Sequence, residues 1–151
     1  MEISAKGDYA VRALAVLAAA GGNSMTVAEL ASAQGIPAGF LQGILQRLRQ
    51  RGILSSHRGT DGGYRLARPP AEITVADVLR AVDGPLAAVR GQPTEDIDYP
   101  GVAGPLKDVW LALRASMRRV IEHVTLEDIV EGPLPGCVTE LNADPAAWTS
   151  G

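Results

Sequence analysis

The chain has 151 residues, of which 46% are hydrophobic, and its formal net charge is -3. This suits one compact domain with an appendage and excludes a membrane span, because no run approaches the roughly 20 apolar residues required. A signal peptide is not predicted, because the apolar start Ala10–Ala20 lacks a basic lead, and the single cysteine, Cys137, excludes an intrachain disulfide framework. We therefore expect a cytoplasmic protein.

The charges are distributed unevenly along the chain. Residues 1–68 contain eight Lys and Arg against four Asp and Glu, a net charge of +4, whereas residues 69–151 contain six against thirteen, a net charge of -7. Such asymmetry is typical of a basic contact surface in one half and a solvated or partner-binding surface in the other. Chance clustering of charges is the simpler alternative.

Two helices are predicted first. Asp8–Ala20 has apolar residues at helical spacing and is followed by a glycine pair, which ends the helix. Thr26 and Glu29 have the spacing of a capping box, in which the hydroxyl accepts from the third helical N–H and the glutamate reaches back. This pattern predicts a second helix that extends to about Gln34.

A third helix and a hairpin carry the most informative pattern. Pro37 suits the start of this helix, which ends at Gly52, and short strands at 53–57 and 64–66 surround a glycine-rich tip. Residues 44–68 contain six arginines against one acid. Such a helix and hairpin suit double-stranded DNA, with the helix in a major groove and the hairpin beside it. The apolar face of the helix is predicted to comprise Phe40, Leu41, Ile44, Leu45 and Leu48.

The C-terminal half is predicted to hold a short helix, a loop and a long helix. A second capping pattern at Thr74 starts a helix that extends to Val82, and residues 84–105, rich in glycine, proline and acids, are interpreted as a loop with one helical turn at most. Apolar residues then recur at helical spacing over 106–124, a helix of about 28 Å. Thr125 caps a further short turn, and the tail after it is expected to be extended or frayed.

This order of elements predicts a mainly α fold: a winged helix-turn-helix with a two-stranded β-hairpin wing and a long C-terminal dimerisation helix. The long helix is too apolar on one face to be only a cap on the small unit, so a two-fold partner helix is the economical place to bury it. We expect a DNA-binding domain at 1–83, a loop at 84–105, a dimerisation helix with a short terminal helix at 106–130 and an irregular tail at 131–151.

An ordered set of motifs resembles that of one known family, although each motif alone is weak. The chain is similar to the Rrf2 (Rrf-two) family of bacterial winged-helix regulators, which includes the iron–sulfur cluster regulator, the nitric-oxide-sensitive repressor and the cysteine-metabolism repressor. The resemblance covers residues 2–130. The motifs are Ser4–Leu14, Ile36–Leu41, Leu48–Leu54, Arg58-Gly59, Gly62–Pro69, Glu72–Val78, Ala81–Leu86 and Val124–Ile129.

The resemblance implies a homodimer that binds a palindromic operator, with the third helix in the major groove, the wing near the minor groove and dimerisation through the long helix. Two departures matter. Many members bind an iron–sulfur cluster through three cysteines that precede the long helix, whereas residues 86–106 contain none and Cys137 lies beyond that helix. No cofactor is therefore expected. Relatives also often have Tyr-Leu-Glu-Gln where this chain has Phe40-Leu41-Gln42-Gly43, so the operator is expected to differ.

The candidate DNA contacts lie on the third helix, the wing and the first helix. Arg58 and Arg65 are expected in the minor groove, where the potential is negative. Gln42 could pair with adenine, with an exposed helical glutamine as the alternative. Lys6 and Tyr9 could hold a phosphate, although Tyr9 could equally be the edge of the core. The full set is Lys6, Tyr9, Ala38, Gly39, Phe40, Gln42, Gly43, Gln46, Arg47, Arg49, Arg58, Gly59, Thr60 and Arg65.

The candidate dimer interface is the apolar face of the long helix. Trp110 could instead line a cavity for an effector, a small molecule or a partner protein, together with the loop 84–105. The interface set is Leu106, Val109, Trp110, Leu113, Met117, Val120, Ile121 and Val124.

Other chemistry has little support in the sequence. The two histidines, His57 and His123, have no ligand at metal-binding spacing, and the acids Glu95, Asp96 and Asp98 fit a solvated loop better than a cation site. No nucleophile and base arrangement or phosphate loop is visible, so no enzyme is predicted. The predicted function is a sequence-specific transcriptional regulator, a repressor by preference. The alternatives are a winged-helix protein-interaction module, a sensor of an effector through residues 84–110, and a cluster held by unusual ligands such as Asp8 or His123.

Overall fold

The computed structural model describes residues 2–149, and it confirms the prediction of a mainly helical winged-helix fold. Three helices precede a hairpin, and four helices follow it. The helices are α1 Ala5–Ala19, α2 Val27–Gln34, α3 Ala38–Gln50, α4 Val75–Asp83, α5 Leu106–Ile121, α6 Leu126–Glu131 and α7 Gly136–Asn142; the strands are β1 Leu54–His57 and β2 Gly63–Leu66.

Hydroxyl caps fix where several helices begin. The predicted capping boxes are present at α2, α4 and α6, where Thr26, Thr74 and Thr125 accept from the amide three residues later. α1 begins three residues earlier than predicted because the Ser4 hydroxyl accepts from the Gly7 amide at 2.9 Å. Caps of this kind each stabilise a helix by about 1 kcal/mol.

The hydrophobic core lies between α1, α2, α3, α4 and the hairpin, and α6 completes it. Leu126 of α6 is fully buried in this core, although it was expected in a separate C-terminal segment. The segments before α4 and before α6 pair through their backbones: Val75 N donates to Val124 O and Leu126 N to Ile73 O, both at 2.9 Å. The N-terminal domain therefore includes a segment from beyond the long helix.

The wing is an antiparallel hairpin that is fixed to the segment before α2. Met25 and Tyr64 exchange backbone hydrogen bonds of 2.8 and 2.9 Å, next to the β1–β2 pairing. Gly63 has a φ of 147°, and a Cβ there would lie 2.5 Å from the Met25 carbonyl oxygen. Only glycine fits this crossing, so the tip end of β2 has a fixed position beside the segment before α2.

Three expectations about single elements were wrong. Phe40 is 50% exposed and does not belong to the buried face of α3. α5 ends at Ile121, and Val124, expected at its end, is 7% exposed and pairs with α4 through its backbone. The tail is not irregular: it holds α7 and the 3-10 turn Pro145–Trp148, because its prolines precede or open these elements and do not interrupt them.

The loop 84–105 contains more order than expected. It has two short 3-10 turns, at Thr94–Asp96 and Gly101–Ala103, and the Thr94 hydroxyl donates to the Ala87 carbonyl at 2.7 Å. Thr94 and Ile97 are both buried.

Within residues 2–149, no helix combines the length and the apolar character needed to cross a membrane.

Candidate nucleic-acid interface

One side of α3 is buried in the core and the other is open to solvent. Leu41, Ile44, Leu45 and Leu48 form the buried side. The helical repeat of 3.6 residues then places the remaining positions outward. All the candidate α3 residues are exposed: Ala38, Gly39, Phe40, Gln42, Gly43, Gln46, Arg47 and Arg49.

The outward side of α3 has little side-chain bulk near its start. Gly39 and Gly43 are one helical turn apart, and a Cβ built on either one meets no atom within 4 Å. Nothing in the free protein therefore requires glycine at these two positions, although glycine inside a helix costs about 0.5–1 kcal/mol relative to alanine. A surface that must approach a partner closely would explain both residues.

The N-terminal end of α3 is also open. Its N-cap residue, Pro37, makes no side-chain cap hydrogen bond, and the first turn contains no acid. The first amide groups and the positive end of the helix dipole consequently face outward, which favours a phosphate group there.

The wing continues the basic surface of α3. Arg49 at the end of α3 donates to the Ser56 hydroxyl on β1 at 3.1 Å, and Arg65 on β2 contacts the Ser55 hydroxyl at 3.4 Å. Arg58, Gly59 and Thr60 are exposed at the tip, and neither Arg58 nor Arg47 forms an ion pair with another described residue. Arg49 therefore joins the exposed end of α3 to the wing, and the wing candidates are exposed like those of α3.

Tyr9 and Phe40 join α1 to the start of α3. Their rings pack edge to face with centroids 5.7 Å apart, and the Arg12 guanidinium lies 5.4 Å from the centre of the Tyr9 ring. Arg12 also pairs with Asp8 at 3.1 Å and donates to the Gln34 backbone and side chain on α2. The ring of Tyr9 is half-buried against the core, which confirms the interpretation of this residue as an edge of the core; phosphate binding by Tyr9 stays a prediction.

Lys6, unlike Arg47 and Arg58, already forms an ion pair within the chain. Its ammonium lies 3.3 Å from the Asp83 carboxylate, and both side chains are about one-third exposed. Sequence reasoning missed Arg12, Ser55 and Ser56, which hold α1, α2 and the wing around α3. Their partners lie 7 to 22 residues away, and no local pattern indicates such contacts.

α5 carries an apolar face that the rest of the chain covers only in part. No residue of α5 is buried, and Val109 is 55% exposed. Trp110 is half-buried and donates from Nε1 to the Tyr99 hydroxyl at 3.0 Å, which ties the loop to the helix. The other candidate interface positions on this helix are half-buried: Leu106, Leu113, Met117, Val120 and Ile121.

The acids near α5 are engaged by cations. Glu95 pairs with Arg114, and Asp98 lies 3.0 Å from Lys107. The pKa of Glu95 is lowered, first by a hydrogen bond from its own backbone and then by Arg114. These two carboxylates are therefore held by internal partners and not arranged around a cation.

Comparison with known proteins identifies the relatives of this chain. A family model described as an iron-dependent transcriptional regulator, Rrf2, matches residues 3–132. A protein of Mycobacterium tuberculosis named as the HTH-type transcriptional regulator Rv1287 is 52% identical over 151 residues, which cover 99% of this chain and 94% of that protein. CymR of Bacillus subtilis is 30% identical over 131 residues, covering 85% of this chain and 89% of CymR.

Solved structures match the whole fold. The structure of CymR, titled the global cysteine regulator of B. subtilis, superposes with a TM-score of 0.70 at 29% identity and covers 86% of this chain and 96% of CymR. An IscR structure from T. potens has a TM-score of 0.68 at 27% identity and covers 100% of this chain and 94% of that one. These relatives are regulators and not enzymes, as the sequence predicted.

The iron in the description of the family model has no matching ligand set here. Within residues 2–149, no three His, Cys, Asp or Glu side chains lie together in a way that could hold a metal ion. The only cysteine, Cys137, lies on α7, and Asp8, which was considered as an unusual ligand, pairs with Arg12. The donors present do not fit an iron site of the thiolate type.

Proposed function

Because the chain belongs to the Rrf2 family of transcriptional regulators, we propose that two copies of it bind a palindromic operator in double-stranded DNA and repress transcription there. The protein is a DNA-binding regulator, and the dimer, the docking geometry and the direction of control are the parts that we propose. Repression is the simpler direction, because it requires only that a bound dimer cover the promoter. The protein would act in the cytoplasm, where bacterial DNA is.

The exposed side of α3, continuous with the wing, is the observation that supports the docking geometry. α3 has 13 residues and a length of about 20 Å, and its bare start at Gly39 and Gly43 allows it to enter a major groove closely. Gln42 and Gln46 would face base edges, and Arg47 would contact phosphate. Arg58 at the wing tip would enter the adjacent minor groove, where a guanidinium gains from the negative potential.

The open apolar face of α5 supports the dimer. A helix that leaves valine exposed and leucine and methionine side chains partly exposed in one protomer gains stability when a second copy covers them. Val124 is not part of this proposed interface, because its own protomer already buries it. Two copies related by a two-fold axis would present two α3 helices to half-sites about one helical turn of DNA apart.

A charge on this face tests the dimer. Val109→Asp places a carboxylate at the most exposed apolar position of the proposed interface, and we expect sedimentation equilibrium to give monomers at concentrations where the wild type is a dimer. Ala115→Asp is the matched control, because residue 115 is exposed and lies on the opposite side of α5 at 100° per residue. A monomeric wild type, or equal dissociation of both variants, would count against the interface.

Footprinting on genomic DNA tests the operator. We expect protected sites with two-fold symmetry and half-sites one helical turn apart, and increased transcription of the adjacent genes when the protein is removed. Protection without symmetry would contradict the dimer, and decreased transcription would contradict repression. A stable complex with another protein, without any retardation of DNA, would favour the protein-interaction alternative.

A further inference from the structure

Four arginines from three helices line one open cleft outside the proposed DNA surface. Arg51 comes from the end of α3, Arg80 from α4, and Arg114 and Arg118 from α5. The cleft has a volume of about 540 Å³. The start of the loop 84–105 closes one side with Pro85 and Leu86 and contributes an apolar wall.

The cleft holds more positive than negative charge. Arg80 and Arg118 share a single carboxylate, that of Glu122, and Arg114 pairs with Glu95. Arg51 forms no ion pair with any residue in the described part of the chain. Four guanidinium groups are thus balanced by two carboxylates, which leaves an excess of two positive charges.

The carboxylates of Glu122 and Glu95 already accept hydrogen bonds from arginines of the cleft. Hydrogen bonds from Arg80 and Arg118 lower the pKa of Glu122, and a hydrogen bond from its own backbone, together with one from Arg114, lowers the pKa of Glu95. Both groups are therefore ionised at neutral pH and already contribute their full charge. A bound anion would therefore meet guanidinium charge that no carboxylate of the cleft already balances.

We propose that this cleft binds a small molecule that carries two or more anionic groups, phosphate or carboxylate. Guanidinium groups bind such groups through paired, charge-assisted hydrogen bonds, and arginine favours this planar geometry over lysine. The volume lies within the roughly 300–1,000 Å³ typical of small-molecule sites. Pro85 and Leu86 would contact the non-polar part of the ligand.

The position of the cleft gives the ligand a regulatory role. Arg51 extends from the end of the proposed reading helix, whereas Arg114 and Arg118 belong to the proposed dimerisation helix. A ligand that bridges them fixes α5 relative to α3 and so selects one spacing of the two reading helices in a dimer. This role rests on the proposed function, whereas the binding itself does not.

Calorimetric titration of the full chain with inorganic pyrophosphate and with citrate, without DNA and at constant low ionic strength, tests the site. We expect saturable binding of one molecule per chain for at least one of the two probes. Arg51→Gln and Arg118→Gln should each weaken it about tenfold, the effect of losing one charge-assisted hydrogen bond. Arg119→Gln is the matched control, because it removes the same charge from the neighbouring exposed position of α5, which does not line the cleft.

Circular dichroism first establishes that the variants are folded, so that any loss of binding reflects the cleft and not unfolding. Absence of saturable binding to the wild type, or equal weakening by all three variants, would overturn the site, since equal weakening indicates only diffuse charge. Operator affinity, measured with and without the bound probe, tests the regulatory role, and an unchanged affinity would overturn that role. If no operator is bound at all, the proposed function fails, while the calorimetric result for the cleft stands.

Discussion

At the residue scale, Gly39 and Gly43 of α3 are not required for folding, so we explain them by binding. A helical glycine with free space around it weakens the helix, and neither Gly39 nor Gly43 has a neighbour that would exclude a methyl group. The free protein gains nothing from either residue. Close approach to DNA is the interpretation that accounts for them.

We therefore expect Gly43→Ala to change stability and binding in opposite directions. The free energy of unfolding, measured with urea, should rise by about 0.5–1 kcal/mol because the glycine entropy cost is removed. Operator affinity should fall in the same preparation, because the new methyl group would stand between α3 and the groove. Higher stability with unchanged affinity would show that α3 does not approach DNA at this position.

Arg58 at the wing tip is the single side chain that we expect to matter most for minor-groove contact. It is exposed and has no ion-pair partner among residues 2–149, so its replacement should leave folding intact. Arg58→Ala should weaken operator binding by about 1–3 kcal/mol at fixed salt. The control is Arg119→Ala on α5, and equal losses for both variants would show only the effect of net charge.

At the element scale, the acidic residues of the helix caps make the stability of the fold depend on pH. The pKa of Glu29 is lowered by hydrogen bonds from the Thr26 backbone and side chain, and Thr125 lowers the pKa of Asp128 in the same way. A folded-state pKa below the unfolded value means that the contribution to stability is complete above the unfolded pKa. It is lost as the pH falls through the lower, folded value.

Glu29→Gln and Asp128→Asn should therefore reduce the difference in stability between neutral and acidic solution. The unfolded values are close to 4.5 for glutamate and 3.8 for aspartate, so the loss in the wild type belongs below about pH 4. Urea unfolding at pH 7 and at pH 3 measures it. Variants that lose as much stability as the wild type over this interval would exclude the caps as its source.

The elements that sequence reasoning predicted well are those that local patterns define. Capping boxes join residues three apart, and the hairpin is indicated by glycines between two short apolar segments. Both patterns lie within a few residues, so both elements could be located without knowledge of the fold. Phe40 was misassigned because its partner, Tyr9, lies on another helix, and periodicity cannot distinguish a core position from an edge contact of this kind. The order in the tail is not evident from its sequence, because proline both ends helices and begins them, and Pro135 and Pro145 stand where a helix and a turn begin.

The exposure of the α3 candidates was predictable as a group, because it follows from the positions of the buried leucines of this helix. The arginine cleft was not, since its four arginines come from three helices that only the fold brings together.

At the scale of the whole molecule, the acidic net charge and the proposed DNA binding are compatible because the charges are segregated. The N-terminal 68 residues have a net charge of +4 and supply the whole proposed contact surface, while the acids concentrate in the remainder. DNA meets the local field of α3 and the wing and not the average charge of the chain.

We expect operator affinity to fall steeply with salt, with a log–log slope of about -0.9 for each phosphate neutralised. Arg47→Ala should make this slope less steep by about one unit, because it removes one proposed phosphate contact. Gln42→Ala should leave the slope unchanged, because a base contact releases no counterion. A slope that does not respond to Arg47→Ala would remove this residue from the phosphate contacts.

The backbone pairing between the segments before α4 and before α6 has a consequence for how such a regulator can diversify. Val75 and Val124 are hydrogen-bonded neighbours, yet almost fifty residues, including the loop and α5, lie between them in sequence. After α4, which lies in the core, the chain runs out through the loop and α5 and returns beside the start of α4, so that these elements form a loop closed at its base. The entropy of closing such a loop changes only slowly with its length. Insertions and deletions in the loop and α5 therefore cost the fold little, and we expect this segment to accept new ligand contacts without change to the proposed DNA-contacting surface.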